Sequence, residues 1–224
     1  QDQKYQLRCR AAIDLLTAKL NMINADLSRK KRHVVINQIS SRVKTAESIY
    51  TKLIRKGLEP DFDTARAELK DLIGIRVVCP FEDEVYEVAD RLKAQGDVQI
   101  IREKDYIKNP KPSGYRSLHL IVKVPIFLQN TKKLVTVEVQ LRTIAMDFWA
   151  SLEHKMRYKK NIAPEQVKFL QEELSDCAIQ SAALDERMQN IRNVIIQNSE
   201  DDGETTPEET GFPLMMALRD GRRR

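Results

Sequence analysis

The feature that most constrains this chain is a strict alternation just past its midpoint. Val135, Val137, Val139 and Leu141 are apolar, while Thr136, Glu138, Gln140 and Arg142 between them are polar. Successive side chains of a strand point to opposite faces, so the segment predicts a strand with one face on a core and one polar face. Leu118, Leu120, Val122 and Val124 repeat the alternation upstream, with Ser117, His119 and Lys123 on the polar side. The polar stretch Asn130-Thr131-Lys132-Lys133 predicts the turn between the two strands. If they pair, His119 approaches Glu138 or Gln140. A carboxylate in mid-strand among donors suits metal binding or acceptance of a hydroxyl proton. The solvated outer face of an antiparallel sheet carries the same pattern.

Helical spacing predicts a first helix from about Lys4 to Leu27, with Leu7, Ala11, Leu15, Ala18 and Met22 on one side. After the basic break Arg29–Arg32, a second helix is expected from about Val34 to Arg55, stopping near Gly57, with Val43, Ala46, Tyr50 and Leu53 as its core stripe. A short helix follows Pro60-Asp61, then a buried strand at Ile73–Val78, a helix from about Glu82 to Gln95 and a strand at Val98–Ile101. Lys104–Tyr115 reads as a long loop. Beyond the two alternating strands, a helix from about Ile144 to Tyr158 is expected to bury Ala145, Phe148, Trp149, Leu152 and Met156, and Pro164 opens a long helix to about Gln197. Ser199–Thr210 is acidic and poor in apolar residues, which predicts a linker, and Gly211–Arg224 has no clear pattern. The fold class is therefore α/β (α+β): a mixed, largely antiparallel sheet in a core of about 34–158, flanked by long terminal helices. Residues 1–198 are expected to form a single domain, with 199–224 an acidic linker and tail.

Composition excludes some classes. An apolar fraction of 42% beside 32% charged residues is globular, and apolar runs such as Ile73–Cys79 are too short to cross a bilayer. Gln1-Asp2-Gln3-Lys4 lacks the pattern of a signal peptide. Cys9, Cys79 and Cys177 lie far apart, which argues against a disulfide framework or zinc site and for reduced thiols in the cytoplasm. A net charge of +5 predicts an anionic partner, whether nucleotide, RNA or membrane surface.

Three more segments carry chemistry. Lys44, Ser48, Lys52 and Arg55 follow i, i+4, i+8, i+11 and would form a donor stripe on the second helix, suited to a polyphosphate or simply to solvent. Asp71 enters the Ile73 strand and Arg76 lies within it; alternation puts them on opposite faces unless a bulge at Gly74 brings them together. Lys104, Lys108, Lys111, Tyr115 and Arg116 cluster around Pro110, Pro112 and Gly114, a mixture able to bind phosphate and stack on a base, or a plain solvated loop.

Taken jointly, these segments resemble the synthetase domain of the RelA/SpoT homologues. The resemblance is carried by Asp71-Leu72-Ile73-Gly74-Ile75-Arg76, by Lys104-Asp105-Tyr106-Ile107 with Pro110 to His119, by Val137 to Thr143, and by Ala145 to His154, and it spans roughly 30–195. It implies a nucleotidyltransferase-like synthetase core of the single-domain kind, which transfers the β,γ-diphosphate of ATP to the 3′-hydroxyl of GDP or GTP, with Mg²⁺ as cofactor. By motif, Arg42 and Arg76 would sandwich adenine, and Lys44, Ser48, Lys52 and Arg55 would hold the ATP phosphates. Asp71 and Glu138 would bind Mg²⁺, and Glu138 would also be the base. Tyr115 would stack on guanine, with Lys104, Lys111, His119 and Gln140 on the acceptor nucleotide. Asp147 stands at an acceptor position often occupied by Asn. The family also implies a homotetramer built by the flanking helices. His33, His119 and His154 form no metal-ligand set, so no hydrolase activity is expected.

Overall fold

The computed structural model describes residues 2–128, 131–157 and 163–201. Five strands form one sheet: β1 (Gln38–Val43), β2 (Ile73–Cys79), β3 (Gln99–Asp105), β4 (Leu118–Leu128) and β5 (Thr131–Thr143). Their spatial order is β1-β2-β5-β4-β3. The β2–β5 pair is parallel and the other three pairs are antiparallel. The mixed sheet of the sequence reading is thus present, and the predicted β4–β5 pairing sets His119 opposite Gln140 and Ile121 opposite Glu138. The predicted turn residues Thr131, Lys132 and Lys133 instead belong to β5, because the ladder runs on to Leu128 and Thr131; Asn130 lies outside the described residues.

The apolar face of the sheet is covered by α1 (Asp2–Lys31) and α4 (Glu82–Lys93). Val77, Leu120, Val122, Val137, Val139 and Leu141 are wholly buried there. On α1 the buried positions are Cys9, Ala12, Leu16, Leu20, Ile23 and Leu27, a single helical stripe. This corrects the sequence reading, since Leu7 and Met22 of the expected stripe are exposed. A helix with apolar residues on several sides leaves the choice of face to its partner, and here the sheet decides it.

The second helix also begins later than expected. Residues 38–43 are strand β1, and α2 (Ala46–Arg55) starts only after Thr45, whose hydroxyl accepts the Ser48 backbone N–H at 3.3 Å. A threonine N-cap of this kind sets a helix start. The β-branched and serine-rich run upstream pairs with β2 instead. The helix face turns accordingly: Ile49 and Leu53 are buried with Ala65, Leu69 and Leu72, while Tyr50 is exposed. Ala65 belongs to α3 (Phe62–Glu68), capped by Asp61.

α5 (Ile144–Arg157) leaves β5 without a loop because Thr143 caps it, accepting the Met146 N–H at 3.1 Å. It buries Met146, Trp149 and Ala150, whereas Phe148, Leu152 and Met156, expected inside, are exposed. α6 (Pro164–Asp201) extends past the expected end at Gln197, so Ser199–Asp201 of the expected linker are helical. The remainder of the acidic stretch and Gly211–Arg224 lie outside the described residues. The chain separates into a compact unit ending at Gln189 and a second unit from Asn190, whose described part is the end of α6.

The two candidate faces of α1 give a direct test. Leu16→Ala empties a fully buried position and should cost about 2–5 kcal/mol, whereas Met22→Ala should stay within about 0.5 kcal/mol, both read from urea unfolding.

Candidate active site

Residues directly paired across a ladder point to the same face. Gly74 pairs with Glu138 and Arg42, Arg76 with Gln140 and Ser40, and His119 with Gln140 and Lys104. One polar face therefore gathers Arg42, Arg76, Gln140, Glu138, His119 and Lys104 from all five strands. No register shift occurs at Gly74 in either of its ladders. The bulge considered there is absent, and Asp71 precedes the strand. Gly74 has a packing reason of its own: the Arg42 side chain lies across it, with Cγ 3.6 Å from where a Cβ would stand. Arg42, Gly74, Arg76 and Gln140 line a cleft of about 130 Å³.

Glu138 sits near the centre of this face. Its Oε1 lies 3.2 Å from His119 Nδ1, and its Oε2 accepts from Gln140 Nε2 at 3.0 Å. Burial pushes the Glu138 carboxyl up, but the contacts with His119 and Gln140 outweigh it and hold the group below its ordinary range. Asp71 is near enough to oppose that shift with its own charge.

At the entrance of β2, Lys44 and Lys52 both donate to Asp71 Oδ2, at 2.6 and 2.5 Å. Burial raises the Asp71 carboxyl, and the two lysines overcome this and bring it down to about 2. Lys44 is not on the helix, as the stripe required, but on the link between β1 and α2. The two lysines still converge because the chain turns at Thr45. Ser48 stands in the first turn of α2 with its hydroxyl 2.9 Å from that of Thr45, and Arg55 is exposed in the last turn.

The opposite end of the face is aromatic. Lys104 and Asp105 extend β3, so the expected loop begins only at Tyr106. Its tip is a turn closed by Gly114 N–H donating to Lys111 O at 2.8 Å, with Gly114 at φ +88°, a conformation favouring glycine. The turn presents Tyr115, whose hydroxyl lies 2.9 Å from His119 Nε2 and accepts from Arg142 Nη2 at 2.7 Å. Lys111 Nζ stands 4.7 Å from the ring centres of both Tyr106 and Tyr115. Asp147 meets Arg142 at 3.1 Å and Arg76 at 3.4 Å, joining the two ends of the face. Arg142 and Tyr106 were absent from the residues expected to act. Arg142 shares the even register of Glu138 and Gln140, and that was the available signal; Tyr106 had only its nearness to Lys104.

Asp71 and Glu138 suit Mg²⁺, which takes few carboxylates and completes its shell with phosphate and water oxygens. Asp71 Oδ1 is buried with no hydrogen-bond partner among the described residues, as a ligand oxygen would be. Among those residues no three His, Cys, Asp or Glu groups form a self-sufficient metal cage, so substrate oxygens would have to share the ion.

Residues 41–163 match the model of the region found in RelA and SpoT proteins. The chain belongs to the RelA/SpoT family, and within it to the small alarmone synthetases. It is 43% identical over 185 residues to the GTP pyrophosphokinase YwaC of Bacillus subtilis, covering 82% of this chain and 87% of that protein. A second Bacillus subtilis relative, the GTP pyrophosphokinase YjbM, is 35% identical over 197 residues, 87% of this chain and 90% of the relative. The solved structure of small alarmone synthetase 1 from Bacillus subtilis with its product pppGpp superposes with a TM-score of 0.77 at 34% identity, over 87% of this chain and 98% of that one. Small alarmone synthetase 2 from the same organism gives 0.75 at 42% identity, over 86% and 99%. The matched family region ends where α6 begins.

The lowered Asp71 pKa makes a stability prediction. A carboxyl depressed on folding adds stability that is present above its unfolded pKa, near ~4, and is lost as pH falls through its folded value. The stability advantage of wild type over Asp71→Asn should thus be constant above about pH 5 and shrink between about pH 4 and 2. Chemical unfolding of both proteins at each pH reads the difference.

Proposed function

We propose that this chain is a (p)ppGpp synthetase, transferring the β,γ-diphosphate of ATP to the 3′-hydroxyl of GDP or GTP and releasing AMP. The observation that carries the reading is the single polar face with a partly buried carboxylate, Glu138, between a lysine cluster and an aromatic platform. The relatives named GTP pyrophosphokinases support it.

The roles are those the family resemblance implies, and the positions of the residues support them. The cleft between Arg42 and Arg76 takes adenine. Lys44 and Lys52, with Ser48 and Arg55, take the ATP phosphates, since a polyphosphate offers the lysines the same anionic oxygens that Asp71 does. Tyr115 stacks on guanine, with Lys104, Lys111, His119, Gln140 and Asp147 on the acceptor side. Glu138 accepts the 3′-hydroxyl proton as that oxygen forms its bond to the β-phosphorus, and the bond from the β-phosphorus to the α,β-bridging oxygen breaks to free AMP. Such transfer rests on alignment and charge neutralisation more than on covalent help. Mg²⁺ held by Asp71 and Glu138 would neutralise charge on the phosphates. His119 fixes the orientation of Glu138, and its other ring nitrogen meets Tyr115, so the base and the stacking platform are linked through one imidazole.

We assign the enzyme to the cytoplasm, where its nucleotides are. Among the described residues no helix is long and apolar enough to cross a membrane. We also assign residues 1–198 to one synthetase domain, with 199–224 appended to it, and a homotetramer built through the terminal helices. Exposed Leu7 on α1, and Ile179 and Leu184 on α6, supply apolar surface for it.

The decisive test is incubation with ATP, Mg²⁺ and GDP or GTP, with products resolved by anion exchange. A tetra- or pentaphosphate peak with equimolar AMP is expected, and unchanged nucleotides from folded protein would refute the assignment. Glu138→Gln should lower kcat by about 10²–10⁴ while the ATP dissociation constant stays nearly unchanged. Tyr115→Ala should raise the KM for the guanosine nucleotide about tenfold or more, far more than that for ATP; equal losses in both would remove Tyr115 from the acceptor site.

A further inference from the structure

The turn carrying Tyr115 is shaped by a helix outside the matched family region. Gly114 presses on α6 so closely that a Cβ built on it would lie 2.5 Å from the Cβ of Ala178 and 3.5 Å from the Trp149 ring. Tyr115 packs against the small cluster of Trp149, Ala150 and Ala178. Arg116 donates to Glu82 at 2.8 Å and faces Asp185 of α6 at 3.8 Å. Three consecutive residues of the turn thus each meet a contact that α6 supplies or completes.

The α6 positions form one stripe. Leu174 accepts the Trp149 indole N–H through its carbonyl at 2.9 Å, and Ser181 donates to Ala145 O at 3.3 Å. Together with Ala178 and Asp185, these residues follow i, i+4, i+7, i+11, which is one helix face. Asp185 is buried and accepts from Thr143 Oγ1 at 2.5 Å. Because Thr143 also caps α5 at the end of β5, that hydrogen bond ties α6 to the strand bearing Glu138, Gln140 and Arg142. Burial raises the Asp185 carboxyl, yet no role in the reaction has been given to it.

We propose that Ala178 and Asp185 of α6 are positioning residues for the acceptor nucleotide: they set the Gly114 turn, and through it Tyr115, against the polar face of the sheet. This rests on the assignment of Tyr115 to the guanosine nucleotide. The fit at Ala178 works in one direction only. A larger side chain must drive the turn outward, because Gly114 already stands at contact distance, whereas a smaller one leaves it in place. Asp185 acts through charge on Arg116, the residue after Tyr115. The contact itself involves neither Lys44 and Lys52 nor the Arg42–Arg76 cleft, which Tyr115 reaches only through Arg142 and Asp147, so the acceptor nucleotide feels the change far more than ATP does.

The test uses Trp149, the only tryptophan of the chain, as a reporter beside the turn. GDP is titrated against its emission, and a non-hydrolysable ATP analogue is titrated by calorimetry. Ala178→Leu should weaken GDP binding about tenfold and Asp185→Asn severalfold, with the ATP analogue within about twofold of wild type. Ala178→Gly, although a poorer helix former, should keep GDP binding within about twofold. In a Tyr115→Ala background, Ala178→Leu should have no further effect on GDP, the coupling expected of two residues acting through one contact. If both nucleotides weaken together, or if the losses add fully in the double variant, the positioning role is overturned. Should Ala178→Leu fail to fold, Asp185→Asn decides, since Asn still accepts from Thr143 and only the charge is lost. A wild-type chain that binds GDP but forms no product would overturn the proposed reaction, while the GDP titrations still decide the role of α6.

Discussion

Everything in the candidate site depends on one strand pairing, the parallel ladder of β2 with β5. It stands in the middle of an otherwise antiparallel sheet and sets Gly74 beside Glu138 and Arg76 beside Gln140. The register is enforced from behind. Val137, Val139 and Leu141 are fully buried against the helices, and a slip of one residue would exchange them for Glu138, Gln140 and Arg142. Burial of branched side chains on one face is thus what aligns carboxylate, amide and guanidinium on the other.

The polar face is balanced in a particular way. Asp71 answers two lysines and Asp147 two arginines, so each carboxylate carries more cation than it neutralises. Arg76 has its pKa lowered, first by burial and then by the nearby Arg142. Cations packed this closely repel one another, and an incoming polyanion relieves that repulsion. The site is electrostatically prepared for phosphate.

Much of this was legible in the sequence, and the exceptions have physical causes. The alternation on β4 and β5 located the polar face and the approach of His119 to Glu138, because strand periodicity is unambiguous when one face is buried. β1 was hidden because helical spacing ran on from α2 into it, and only the Thr45 cap separates the two. Periodicity does not pick the buried faces of α1 and α5, because an apolar residue on a helix does not reveal what it will be packed against. Helical spacing predicts Lys44 and Lys52 on one shared helix; they meet through a turn instead. Arg142 was visible on the even face of β5, but its contacts with Tyr115 and Asp147 are tertiary and leave no local trace.

The hydrogen-bonded β5 ladder has a mechanical consequence. A strand advances about 6.6–6.8 Å for each two residues and cannot stretch, so Glu138, Gln140 and Arg142 are graduations on a stiff ruler laid between the central carboxylate and the guanidinium that grips Tyr115. Whatever yielding accompanies the arrival and departure of nucleotides must therefore fall at the two ends of that ruler. One end is the lysine link at Thr45, and the other is the glycine turn at Gly114. Tolerance lies at the margins, and dimensional accuracy lies at the centre.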